Sequence, residues 1–123
     1  MEKKKILIIE DEEDVAKLLV ARLKTTDYES AVACDGYQGV EFAHKENPDL
    51  IIMDLMLPAG DGLTVLKNIR LSGHTREIPI VVLTGIKDEK YKKKVIDEGV
   101  EAYLEKPYEP DTLITTIQNI LKK

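Results

Sequence analysis

Three continuous apolar runs, Ile6-Leu7-Ile8-Ile9, Leu50-Ile51-Ile52-Met53 and Ile80-Val81-Val82-Leu83, recur along the chain without the alternation of a half-exposed strand. Runs of this length read as strands buried on both faces, as parallel strands between helices are. A shorter run, Ala102-Tyr103-Leu104, reads as a last strand, and Glu29-Ser30-Ala31-Val32-Ala33 has so little apolar mass that it suits a sheet edge.

Between the strands the apolar period changes to that of a helix. Val15, Leu18, Leu19 and Leu23 predict an amphipathic helix over roughly 13–25. Asp35-Gly36 opens a short one carrying Val40 and Ala43, which Asn47-Pro48-Asp49 stops. Asp61 caps a third with Leu63, Leu66 and Ile69, closed by Ser72-Gly73. Asp88 caps a polar fourth with Tyr91 and Val95 inward, ended by Gly99, and Pro110 opens a fifth bearing Leu113, Ile114, Ile117, Ile120 and Leu121. Five strands alternating with five helices predict an α/β fold with a doubly wound parallel sheet, and right-handed crossovers leave few arrangements of it.

Composition narrows the setting. A chain of 123 residues with 43% hydrophobic content fits one domain, 1–123, with one core. A net charge of -5 argues against a surface built for nucleic acid or anionic lipid. Cys34 is the sole cysteine, so no internal disulfide forms, and with no stretch of transmembrane length or signal-peptide character the expected location is the cytoplasm. The run from Met1 to Lys123, ending directly after the last helix, leans toward a stand-alone protein, with a phosphorelay intermediate or a piece of a longer regulator left open.

Parallel strands all end on one rim, so Glu10, Asp11, Asp54, Thr84 and Lys106 are expected to converge there from four segments. At an effective dielectric near 20, two like charges about 4 Å apart repel by roughly 4 kcal/mol, so clustered carboxylates require a cation. Hard oxygen ligands without a His or Cys constellation favour Mg²⁺ or Mn²⁺ over Zn²⁺. Lys106 adds an ammonium suited to a phosphoryl oxygen, and the Thr84 hydroxyl can donate to another. Asp54 is the candidate nucleophile, a carboxylate that attacks phosphorus to give an acyl phosphate. Each residue also has a plainer reading: Glu10-Asp11 as the acidic start of a helix, Tyr103 as core, Lys92-Lys93-Lys94 as a solvated helix face, and Cys34, His44 and His74 as incidental.

Taken in order, the Glu10-Asp11 pair, Asp54 with Leu57-Pro58 and Asp61-Gly62 behind it, Thr84-Gly85, and Tyr103-Leu104-Glu105-Lys106-Pro107 resemble the receiver domain of two-component response regulators across essentially the whole chain. The resemblance implies a flavodoxin-like five-stranded sheet in the order 2-1-3-4-5. It implies that Asp54 accepts a phosphoryl group from a histidine kinase or phosphotransfer protein. Asp11, Asp54 and the Met56 backbone carbonyl would bind Mg²⁺ directly, and Glu10 through water. Lys106 would pair with the phosphoryl group, Thr84 would move to hydrogen-bond it, and Tyr103 would swing in behind Thr84. The Lys106-Pro107 bond would be cis. The altered surface would be the fourth helix, last strand and last helix, where an unidentified partner reads the state of a chain that is a monomer at rest, with dimerisation on phosphorylation open.

Departures from the family's usual pattern are Val100, where Ala is usual, and Tyr108, where Phe is commoner. Met56 and Ile86 occupy positions where the family tunes reaction with water, and both are apolar, so slow self-dephosphorylation is expected. Such a protein is a phosphoacceptor that catalyses its own transfer rather than an enzyme turning over substrate. Two other classes share parts of this pattern: a haloacid-dehalogenase-type phosphatase, which needs an Asp where Met56 stands, and a constitutive interaction module, which an incomplete acidic site would favour.

Overall fold

The computed structural model describes residues 3–57 and 61–122; Pro58, the expected partner of Leu57 in the loop behind Asp54, lies outside the described residues, as do both ends of the 1–123 span. Five strands, β1 (Lys5–Ile9), β2 (Glu29–Ala33), β3 (Leu50–Met53), β4 (Ile80–Thr84) and β5 (Ala102–Glu105), alternate with five helices, α1 (Glu13–Thr25), α2 (Gly36–Lys45), α3 (Gly62–Leu71), α4 (Glu89–Asp97) and α5 (Pro110–Leu121). The sheet is parallel throughout and ordered β2-β1-β3-β4-β5, the flavodoxin-like arrangement expected.

The all-apolar runs lie at the centre because both faces of those strands are covered. Leu7, Ile9, Ile51, Met53, Ile80 and Val82 face a layer formed by α2, α3 and α4. Ile6, Ile8, Leu50, Ile52, Val81 and Leu83 face Leu19 and Leu23 of α1 and Leu113 and Ile117 of α5. The edge strand β2 buries only Ala33 fully.

Caps follow the sequence. Asp35 accepts from Gln38 N–H at 2.8 Å while the Gln38 side chain accepts from Cys34 N–H at 2.9 Å, a reciprocal cap at the start of α2. Asp61 and Asp88 cap α3 and α4 as expected. Asn47 ends α2 with a φ of 49°, and Gly99 follows α4 at φ 89°, the left-handed conformation that favours glycine.

One inward assignment is corrected. Leu18 is 55% exposed, and Ala16 takes its place beside Leu19 and Leu23. Residues 16, 19 and 23 share one helical stripe, whereas Leu18 lies a 100° rotation short of Leu19. Tyr91 does pack against the core, half-buried, and its hydroxyl is committed to a polar contact described below. The strands run slightly beyond their apolar runs, β4 through Thr84 and β5 through Glu105.

Candidate functional site

The strand register sets the site. Ile9 lies opposite Met53 and Thr84 opposite Glu105, so Glu10, Asp54, Thr84 and Lys106 leave the sheet at its carboxyl rim together. Glu10, Asp54 and Thr84 are all buried there. The Lys106 ammonium donates to Asp54 Oδ2 at 2.9 Å and lies 3.6 Å from Glu10 Oε1. The other carboxylate oxygen, Asp54 Oδ1, accepts from Met56 N–H at 3.0 Å, and Glu10 Oε2 accepts from Glu12 N–H at 3.1 Å.

Electrostatics mark this rim as short of positive charge. Burial pushes the Glu10 carboxyl above its ordinary pKa, and the Asp54 and Asp11 charges add to that against the opposing effect of Glu12 N–H and Lys106. Burial acts to lower the Lys106 pKa, but its hydrogen bond to Asp54 and the charges of Asp54 and Glu10 more than offset this and leave it raised.

Asp11 is exposed and lines an open groove with Met56, Asp61, Ile86 and Tyr91. Among the described residues no three carboxylates, imidazoles or thiols close into a ready cage. Asp11, Asp54 and the Met56 carbonyl offer oxygen donors only, and oxygen donors suit a hard cation that keeps several waters. The buried carboxylate excess around Glu10 fits the same group.

Thr84 Oγ1 accepts from Ile86 N–H at 3.3 Å, so the hydroxyl is engaged within its own loop. Tyr103, half-buried on β5, donates its hydroxyl to the Ile86 carbonyl at 3.1 Å. Its ring lies under the Lys92 ammonium, 5.2 Å from the centroid. Lys87 and Lys92 each reach Glu105 at 3.4 Å and hold its carboxyl below the ordinary range. The lysine run on α4 is therefore a solvated face only at Lys93 and Lys94, because Lys92 turns back onto β5. The Lys106-Pro107 peptide is cis, as the resemblance implied. His44 and His74, which no sequence spacing linked, stack at 5.6 Å, and a His74 ring nitrogen lies 3.0 Å from Asn47 Oδ1.

Comparison with known proteins agrees with this geometry. The family model for the response regulator receiver domain matches residues 6–118. The chain belongs to the response regulator receiver family. This receiver is 36% identical over 121 residues to the alkaline phosphatase synthesis transcriptional regulatory protein PhoP of Bacillus subtilis, covering 98% of this chain and 49% of that protein. It is 34% identical to the DNA-binding dual master transcriptional regulator RpaA of Synechocystis, covering 97% of this chain and 49% of that one. The chain thus spans about half the length of the curated relatives it matches. Among solved structures, a putative response regulator from Chloroflexus aurantiacus superposes with a TM-score of 0.91 at 34% identity, covering 99% of this chain and 100% of that one. The receiver domain of the sensor histidine kinase PA1611 from Pseudomonas aeruginosa, described with magnesium coordinated in its active-site cleft, superposes with a TM-score of 0.90 at 28% identity, covering 99% of this chain and 100% of that one.

Proposed function

We propose that this receiver is a phosphorylation-dependent switch in which Asp54 takes a phosphoryl group from a histidine kinase or a histidine phosphotransfer protein. An Asp54 carboxylate oxygen attacks phosphorus, the P–N bond to the donor histidine breaks with its electron pair left on the imidazole nitrogen, and an acyl phosphate results. The observation that carries this reading is the Lys106 ammonium at 2.9 Å from a buried Asp54 and 3.6 Å from Glu10. A compact cation already paired with the carboxylate can pass to a phosphoryl oxygen as charge accumulates there.

Mg²⁺, or Mn²⁺ in its place, would be held by Asp11, Asp54 and the Met56 carbonyl, with Glu10 acting through water. Bound there it neutralises charge on the transferring oxygens. Magnesium in the cleft of the PA1611 receiver supports the assignment. The acyl phosphate recruits the Thr84 hydroxyl, the space behind Thr84 opens to the Tyr103 ring, and the surface of α4, β5 and α5 changes for a downstream protein. We read residues 1–123 as one receiver unit, working in the cytoplasm, with no direct contact to DNA. A phosphatase of the haloacid-dehalogenase type is disfavoured because Met56 carries no carboxyl to act as general acid.

Incubation with acetyl phosphate and Mg²⁺ followed by intact-mass measurement tests the reading. One added phosphoryl mass is expected on the natural protein, absent from Asp54→Ala and absent when a chelator removes the metal. No adduct on the natural protein would turn the assignment to a constitutive interaction module.

A further inference from the structure

We propose that Tyr91 is a positioning residue for the switch, a latch that ties α4 to the start of α3 in the resting arrangement. The proposal rests on the phosphoacceptor reading above and adds to it an element that opposes switching.

The latch is built from three polar groups. Tyr91 donates its hydroxyl to Asp61 Oδ1 at 2.5 Å, and Leu63 N–H is shared between Asp61 Oδ1 at 3.0 Å and the Tyr91 hydroxyl oxygen at 3.2 Å. Asp61 thus caps α3 and holds α4 with the same oxygen. Asp61 and Tyr91 line the same groove as Asp11, Leu55, Met56 and Ile86, beside the acceptor site.

The two ends of the latch differ in mobility. Asp61 is fixed to α3, which buries Gly62, Val65, Leu66 and Ile69, and Gly62 N–H is bonded to the Leu55 carbonyl at 3.2 Å. On α4 only Val95 is fully buried, with the Tyr91 ring partly buried on the same core, so polar anchors carry a large share of its attachment. Tyr91 is also coupled to the loop that switching must move. Asp88, at the end of the segment that begins at Thr84, accepts from both Lys90 N–H at 2.9 Å and Tyr91 N–H at 3.2 Å. When Thr84 is drawn toward Asp54, the cap carries Tyr91 with it while Asp61 stays. The Tyr91–Asp61 bond therefore stabilises the resting arrangement selectively, and differential stabilisation is what shifts a two-state equilibrium.

Beryllofluoride, which mimics the acyl phosphate, is titrated with Mg²⁺ into the natural protein, Tyr91→Phe, Asp61→Asn and Asp54→Asn. Losing a hydrogen bond to a carboxylate that exists mainly in the resting state is expected to tighten beryllofluoride binding by about three- to tenfold in Tyr91→Phe. Asp61→Asn, which keeps a cap oxygen but removes its charge, is expected between Tyr91→Phe and the natural protein. Unchanged or weaker binding by Tyr91→Phe, with the natural protein binding and Asp54→Asn not, would overturn the latch and leave the phosphoacceptor reading intact. Failure of the natural protein to bind would instead count against that reading. Hydrogen exchange without ligand gives the latch its own readout: amides of α4 are expected to exchange about tenfold faster in Tyr91→Phe with β1 and β3 unchanged, and equal exchange would also overturn it.

Discussion

Asp54 is surrounded by groups with unequal access to water. The carboxylate meets Lys106, and the residues that follow it, Leu55 and Met56, line a groove where Met56 is 61% exposed and Ile86 half-buried. Hydrolysis of an acyl phosphate needs a water held in line at phosphorus, and an oriented polar group in reach of that water speeds the step. Neither a thioether nor an isoleucine side chain orients water. In the double variant Met56→Asn, Ile86→Glu the half-life of the phosphorylated protein is expected to fall about tenfold or more, read from the decay of the phosphorylated mass after the donor is removed. An equal or longer half-life would sink the idea. The same residues show what could be read in advance. Glu10, Asp54, Thr84 and Lys106 were legible because each ends a strand, and parallel strands share one rim. Tyr91 was legible only as an aromatic on a helix, since its polar role depends on where Asp61, 30 residues earlier, comes to lie.

At the scale of elements, the packing of α3 is stricter than that of α2. A Cβ on Gly62 would stand 2.5 Å from both the Leu55 Cα and the Leu55 carbonyl oxygen, in the segment just after Asp54. Backbone cannot yield as a side chain can, so Gly62→Ala is expected to cost about 2–3 kcal/mol in chemical denaturation. A Cβ on Gly39 meets only the Ile9 side chain, at 2.8 Å from Cδ1. There a rotamer change offsets the contact and the helix gains from alanine, so Gly39→Ala is expected within about 1 kcal/mol of the natural protein. Equal losses would show that the Leu55 backbone yields as readily as the Ile9 side chain. Element boundaries were legible because the apolar period changes sharply and Asp35, Asp61, Asp88 and Pro110 mark helix starts. Facing was less so. In α1 the conspicuous Leu18 points outward while the small Ala16 packs inward, since angular position, not hydrophobicity, decides which side chain meets the sheet.

Across the whole molecule, attachment to the sheet is uneven. α1 sets Leu19 and Leu23, and α5 Leu113 and Ile117, against the face built from Ile6, Ile8, Leu50 and Ile52, and α1 also buries Ala16. On the other face α3 buries four residues, whereas α4 fully buries Val95 alone, with Tyr91 partly buried beside it, and is also held by Tyr91 on Asp61, by Lys92 on Glu105, and just past its end by Arg70 donating to the Gly99 carbonyl at 2.7 Å. A charge change at Asp54 of a few kcal/mol can break several such polar anchors, but it is too small to repack a buried helix face. The response should therefore follow the weakly held path from Thr84 through α4 to β5 instead of spreading through both layers. Amide chemical shifts recorded with and without beryllofluoride and Mg²⁺ are expected to change beyond the immediate site mainly within residues 84–106, with the inward faces of α1 and α2 little altered. Comparable changes across α1 and α2 would mean that the sheet transmits the signal as a rigid whole, and that the sparse burial of α4 is not what directs it.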